Sequence, residues 1–104
     1  MKKRIKLQKV LLDIADEQSL SLYYQPPANV KMSYPCIVYE PIDGRTIYAD
    51  NRVYVNQIQY QVTLITKNPD PEAFDAILNG IPYGSFRNKT VVDNLHNFVF
   101  YCYE

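Results

Sequence analysis

Residues 57–64 alternate without a break: Gln57, Gln59, Gln61 and Thr63 take one set of places, Ile58, Tyr60, Val62 and Leu64 the other. Successive side chains of a strand point to opposite faces, so this run makes a strand with one dry face and one wet face. A dry face exists only where something packs on it, and the chain must therefore hold a sheet with a covering layer. With 104 residues there is room for one domain and one modest core. Residues 1–104 are read as that single domain, residues 1–4 being a flexible leader.

The cover is legible in two further segments. Leu7, Val10, Leu11, Ile14 and Ala15 follow the i, i+3, i+4, i+7, i+8 spacing of an amphipathic helix, which predicts a helix over residues 3–18. Its cations lie at the N-terminal end and Asp13, Asp16 and Glu17 at the other, against the macrodipole, so packing of the apolar stripe must hold it. A second helix is bounded by Asp70 as N-cap, Pro71 at the first helical position, and Gly80 then Pro82 after Phe74, Ile77 and Leu78.

The remaining strands are shorter or less regular. Leu20, Leu22 and Tyr24 alternate before Pro26-Pro27 stops the ladder, as in a short edge strand. Cys36-Ile37-Val38-Tyr39 is apolar on both faces and reads as a central strand. Leu95–Tyr103 is also apolar on both faces. Between them, residues 41–56 contain Pro41, Asp43-Gly44 and Asp50-Asn51 and no sustained period, which predicts a long hairpin excursion with turns at those pairs. The expected fold is α+β: a small, mainly antiparallel sheet of four or five strands with two helices on one face. The second face is left to another chain or to a tyrosine-rich patch.

Composition and charge remove most function classes. Hydrophobic residues are 47% and charged residues 21%, as in a folded domain. No apolar run approaches the roughly 20 residues of a membrane span, and Lys6, Gln8, Lys9 and Asp13 interrupt any signal-peptide core, so no membrane role and a cytosolic, unprocessed chain are expected. Lys2, Lys3, Arg4, Lys6 and Lys9 supply five of the eleven cations, which leaves residues 10–104 with six cations against eleven anions, a net of −5. An acidic body argues against specific nucleic-acid binding, which rests on cations replacing counterions.

No reaction chemistry is spelled out. His96 is the one histidine, so a histidine cluster is impossible. Asp70 and Glu72 are explained by a capped helix start, and Asp50 and Asn51 by turn geometry. Cys36 and Cys102 fall in apolar strands and read as buried free thiols. No phosphate loop, nucleophile elbow or HExxH is present. The chain is thus expected to be no enzyme, with no catalytic, cofactor-binding or metal-binding residues and no cofactor. Ten tyrosines suit contact surfaces, although half or more of them fit as ordinary strand residues. The aromatic, aperiodic stretch makes Tyr48, Asp50, Asn51 and Tyr54 the candidate subunit or tail interface.

The order of short motifs carries a family resemblance. Tyr-Tyr-Gln-Pro-Pro at 23–27, Val-x-x-Ser-Tyr-Pro-Cys-Ile-Val-Tyr at 30–39 and Tyr-Ala-Asp-Asn at 48–51 are followed by the strand at 57–64 and the Asp-Pro helix. Asp-Asn-Leu-His-Asn-Phe-Val-Phe closes the series at 93–100. Together they resemble the tail terminator proteins of long-tailed phages of Gram-positive bacteria, also called tail completion, minor tail or head-tail joining proteins. The resemblance implies a sheet with helices packed on it and a homo-oligomeric, six-fold ring that caps the tail tube, stops its growth and docks the head connector. It implies the tail tube protein and head connector protein as partners, and a place in the virion tail after assembly in the host cytoplasm. The expected free state is a monomer or weak oligomer. The alternatives are a neck or head-closure connector protein, and a small cytosolic ligand-binding module or enzyme.

Overall fold

The computed structural model describes residues 4–26, 31–49 and 52–103, with the side chains of residues 4, 5, 43, 45–49 and 52–57 outside the description. Its elements are α1 (Arg4–Gln18), β1 (Ser21–Tyr24), β2 (Cys36–Ala49), β3 (Arg52–Thr66), α2 (Ala73–Gly80), β4 (Ser85–Val92) and β5 (Leu95–Tyr103). The five strands form one open sheet in the order β1-β2-β3-β5-β4. Only β1 runs parallel to its neighbour; every other pairing is antiparallel. The architecture is a small α+β domain, as the alternation and the two helical patterns predict.

One face of the sheet carries the core. Ile37 and Tyr39 of β2 stand opposite Leu64 and Val62 of β3, and Val62 and Leu64 stand opposite Phe100 and Phe98 of β5. Leu7, Leu11 and Ile14 of α1 and Ala73 and Ile77 of α2 pack on those rungs, so both helices lie on one side. Burying these side chains contributes on the order of 2 kcal/mol each, which is what holds α1 against its unfavourable charge order. The helix ends in a left-handed Ser19 (φ 58°), and the Leu20 N–H donates to the Ala15 carbonyl at 2.8 Å. That bond and conformation make a Schellman motif, which turns the chain directly into β1.

Aromatic rings finish the core in two groups. Phe74 of α2 lies 5.0, 5.7 and 5.1 Å from the rings of Phe86, Phe98 and Phe100, so all four phenylalanines of the sequence meet. Tyr24, Tyr39 and Tyr60 form a second run, at 4.9 and 6.4 Å between successive rings.

Two expectations are corrected. The Asp43-Gly44 pair does not turn the chain: both residues lie inside β2, which continues to Ala49. The register jumps there from Pro41↔Tyr60 to Asp43↔Gln59, leaving Ile42 as the extra residue of a bulge. The turn-forming residues thus serve an irregularity within a long ribbon. Second, Asp70 does not cap α2; the N-cap position is Glu72, with no side-chain cap bond. Asn68 organises the approach instead, its Oδ1 accepting from the Asp70 N–H at 3.0 Å, while the Pro71 carbonyl accepts from Phe74 N–H at 3.2 Å. Tyrosine divides between the faces: Tyr39 and Tyr60 are fully buried on the helix side, while register places Tyr23, Tyr101 and Tyr103 on the second face.

Candidate functional site

The residues singled out in the sequence lie on the β2–β3 hairpin. Tyr48 is in β2 and pairs with Val53; Tyr54 is in β3, at the second register shift, where pairing passes from Ile47↔Val55 to Tyr48↔Val53. Asp50 and Asn51 lie outside the described residues, as do the side chains of Tyr48 and Tyr54. The backbone places both tyrosines beyond the last rung shared with β5, Gln59↔Tyr103. There the hairpin is a two-stranded ribbon carrying no third strand among the described residues.

The second candidate surface is the sheet face turned away from the helices. Register assigns it three rungs: Cys36, Ile65 and Asn97; Val38, Thr63 and Val99; Glu40, Gln61 and Tyr101. Val38, Thr63, Gln61, Val99 and Tyr101 are half-buried, with no helix over them among the described residues. Together with Met32 and Thr90 the central residues line a shallow groove of about 340 Å³. Beside it the Arg87 guanidinium lies 5.0 Å above the Tyr101 ring, a cation–π contact that ties β4 to β5. This face offers amide, hydroxyl and short aliphatic groups in strand register, chemistry suited to broad contact.

A cleft of about 310 Å³ opens at the other end of the sheet, lined by Gln18, Leu20, Thr66, Asn68, Asp70 and Glu72 among others. Thr66 Oγ1 accepts from the Asn68 N–H at 3.1 Å. Asp70 and Glu72 reach this cleft from the turn before α2, and no group of three or more His, Cys, Asp or Glu side chains converges for a metal among the described residues.

Cys36 and Cys102 are buried free thiols, as their strand positions predict, and burial pushes the Cys36 thiol up to about 11. His96 lies on the helix-side register of β5 opposite Thr66 and Val91 and stacks on Phe98, with ring centroids 6.4 Å apart. No helix among the described residues is long and apolar enough to cross a membrane.

Sequence reasoning missed β4 altogether. Ser85–Val92 is exposed at every position, so neither alternation nor an apolar run marks it. The one available signal was Asp93-Asn94, a two-residue loop with φ of 51° and 65° between the paired Val92 and Leu95. Positive φ at both central residues is what a type I′ hairpin turn requires, and Asp and Asn tolerate it.

A comparison with protein-family models finds none that matches the chain, and a search of curated proteins likewise finds no match.

Proposed function

We propose that this chain is a tail-terminator subunit: a structural protein, with no enzymatic role, that assembles into a six-fold ring on the end of a phage tail tube. The ring stops tube growth and offers the head connector its docking surface. The observation that carries the reading is the half-covered sheet. One face is closed by α1 and α2, while the other presents Val38, Thr63, Val99 and Tyr101 half-buried and, among the described residues, without a covering helix. A ring subunit needs such a face, since neighbours and the tube supply the missing cover. The order of elements fits the resemblance in the sequence, from the N-terminal helix through the Gln/Tyr strand to the closing Phe-Val-Phe strand.

The proposed partners are copies of the chain itself, the tube protein and the head connector; the site of action is the virion tail, after assembly in the host cytoplasm. Timing constrains strength: a terminator acts after the tube reaches its length, so its self-contact in solution is weak, in the range of small transient interfaces below about 1,200 Å². The test is growth of tail tubes from purified tube protein with and without this chain. Substoichiometric addition is expected to arrest elongation. Unchanged tube growth, with binding to the head connector alone, would replace this reading with that of a neck protein.

A further inference from the structure

The β2–β3 hairpin outruns the sheet from which it starts. β1 supports β2 only from Cys36 to Tyr39, and β5 supports β3 only from Gln59 to Thr66. Beyond that level β2 and β3 pair only with each other among the described residues, through six rungs from Gly44↔Ile58 to Ala49↔Arg52. At roughly 3.3 Å per residue this is an arm about 17 Å long. A two-stranded ribbon is marginal in water on its own and gains most from a third strand.

The opposite edge of the sheet presents the complementary need. β4 is the last strand in the order, eight residues long and exposed throughout. Phe86, Val91 and Val92 along it are 42%, 57% and 58% exposed. Edge strands of this kind invite pairing unless charges or bulges guard them. Both cations of β4 are drawn back over the sheet, Arg87 onto the Tyr101 ring at 5.0 Å and Lys89 onto the Phe98 ring at 5.3 Å. The strand bulges once, at Arg87, where pairing passes from Phe86↔Phe100 to Asn88↔Val99, and the regular stretch from Asn88 to Val92 is left open to backbone pairing.

The arm cannot reach the β4 edge of its own chain. β5 lies between β3 and β4, and the last β4–β5 rung near that end, Ser85↔Tyr101, stops short of Gln59↔Tyr103, where the arm begins. We propose that the arm of one copy pairs along the outer edge of β4 in the next copy, adding strand to sheet. Donor and acceptor are different surfaces of one chain, so the contact is head-to-tail and propagates until it closes into a ring. The contact itself stands on the two open edges; closure into the ring rests on the terminator reading.

Cross-linking of the purified chain tests this without any tail. Cysteine is placed on the arm in one protein (Tyr48→Cys) and on the edge in another (Thr90→Cys), and a short bismaleimide is added to each alone and to the mixture. Cys36 and Cys102 are buried and stay silent. The mixed dimer is expected several-fold above either homodimer. A third protein carries Thr90→Cys with residues 46–56 replaced by Asn-Gly, so that Arg45 and Gln57 close a short hairpin. It should still capture Tyr48→Cys, because it keeps its edge. Homodimers as abundant as the mixed product, or no mixed product in concentrated protein, would overturn the arm-to-edge contact. Were the mixed product found and tube growth unaffected, the terminator reading would fail while this contact stood.

Discussion

The ring of Phe86 meets that of Phe74 edge-on, with centroids 5.0 Å apart, and this contact fastens the exposed strand β4 to α2. Phe74 also touches Phe98 and Phe100, so it bridges the helix to both strands of the β4–β5 hairpin. Truncating it removes three ring contacts from a partly buried position. Phe74→Ala should cost about 2–4 kcal/mol and Phe86→Ala, which is more exposed, about 1–2 kcal/mol. Urea unfolding midpoints check the order; equal losses would mean that β4 is held by its pairing with β5 alone.

The two glycines near α2 predict opposite outcomes. A Cβ at Gly84 would overlap Ile81 Cγ1 and stand 2.7 Å from its Cδ1, so the clash falls near the root of a buried core side chain and not only on its tip. Gly84→Ala is expected to destabilise by about 1–3 kcal/mol through overpacking. At Gly80 the nearest atom is Ile14 Cδ1 at 2.9 Å, the far end of a side chain that can rotate. The helix-propensity gain of up to about 1 kcal/mol then offsets the crowding, and Gly80→Ala should be close to neutral. Thermal melting of the pair distinguishes them.

Ser19 holds a φ of 58° at the end of α1. The left-handed region costs an L-residue roughly 1–2 kcal/mol, and glycine avoids that cost while being freer in the unfolded chain. Ser19→Gly should therefore stabilise by about 0.5–1 kcal/mol, read as a higher melting temperature. A loss of stability would mean that the serine side chain contributes more than its backbone conformation costs.

Burial at Cys36 gives an alkaline signature. Its thiol is pushed up to about 11, so as pH rises the unfolded chain loses that proton first while the folded chain keeps it. The contribution is complete below the ordinary thiol range and is lost as pH climbs through it toward about 11. Melting temperature should thus fall between these limits more steeply in the wild type than in Cys36→Ala. Parallel slopes would remove Cys36 from the account.

Where burial and period coincide, the sequence was readable. The Leu7, Leu11 and Ile14 spacing marks the face that α1 buries, and the alternation at 57–64 marks the core side of β3. Legibility fails where local chemistry has two uses. Asp43-Gly44 suits a tight turn and equally a bulge, and only the pairing of β2 with β3 decides for the bulge. Asp70-Pro71 suits a helix start, yet Asn68 takes the turn and the helix opens at Ala73. β4 buries nothing and so leaves no hydrophobic pattern. Tyrosine is ambiguous in the same sense: Tyr39 and Tyr60 are core residues, whereas Tyr83 is 83% exposed. Of the candidate interface, sequence located the hairpin that bears Tyr48 and Tyr54 and the existence of a sheet face without helix cover; the residues of that face and the β4 edge emerged only from strand order.

Copy number at the tube end tests the central claim most directly. Fluorescently labelled chain is added to terminator-free tails, and bleaching steps are counted at each tube end by single-molecule imaging. The account predicts six copies at one end and none along the length, with elongation halted at that end. Label spread along the tube, equal occupancy of both ends, or no label on tubes at all would contradict it.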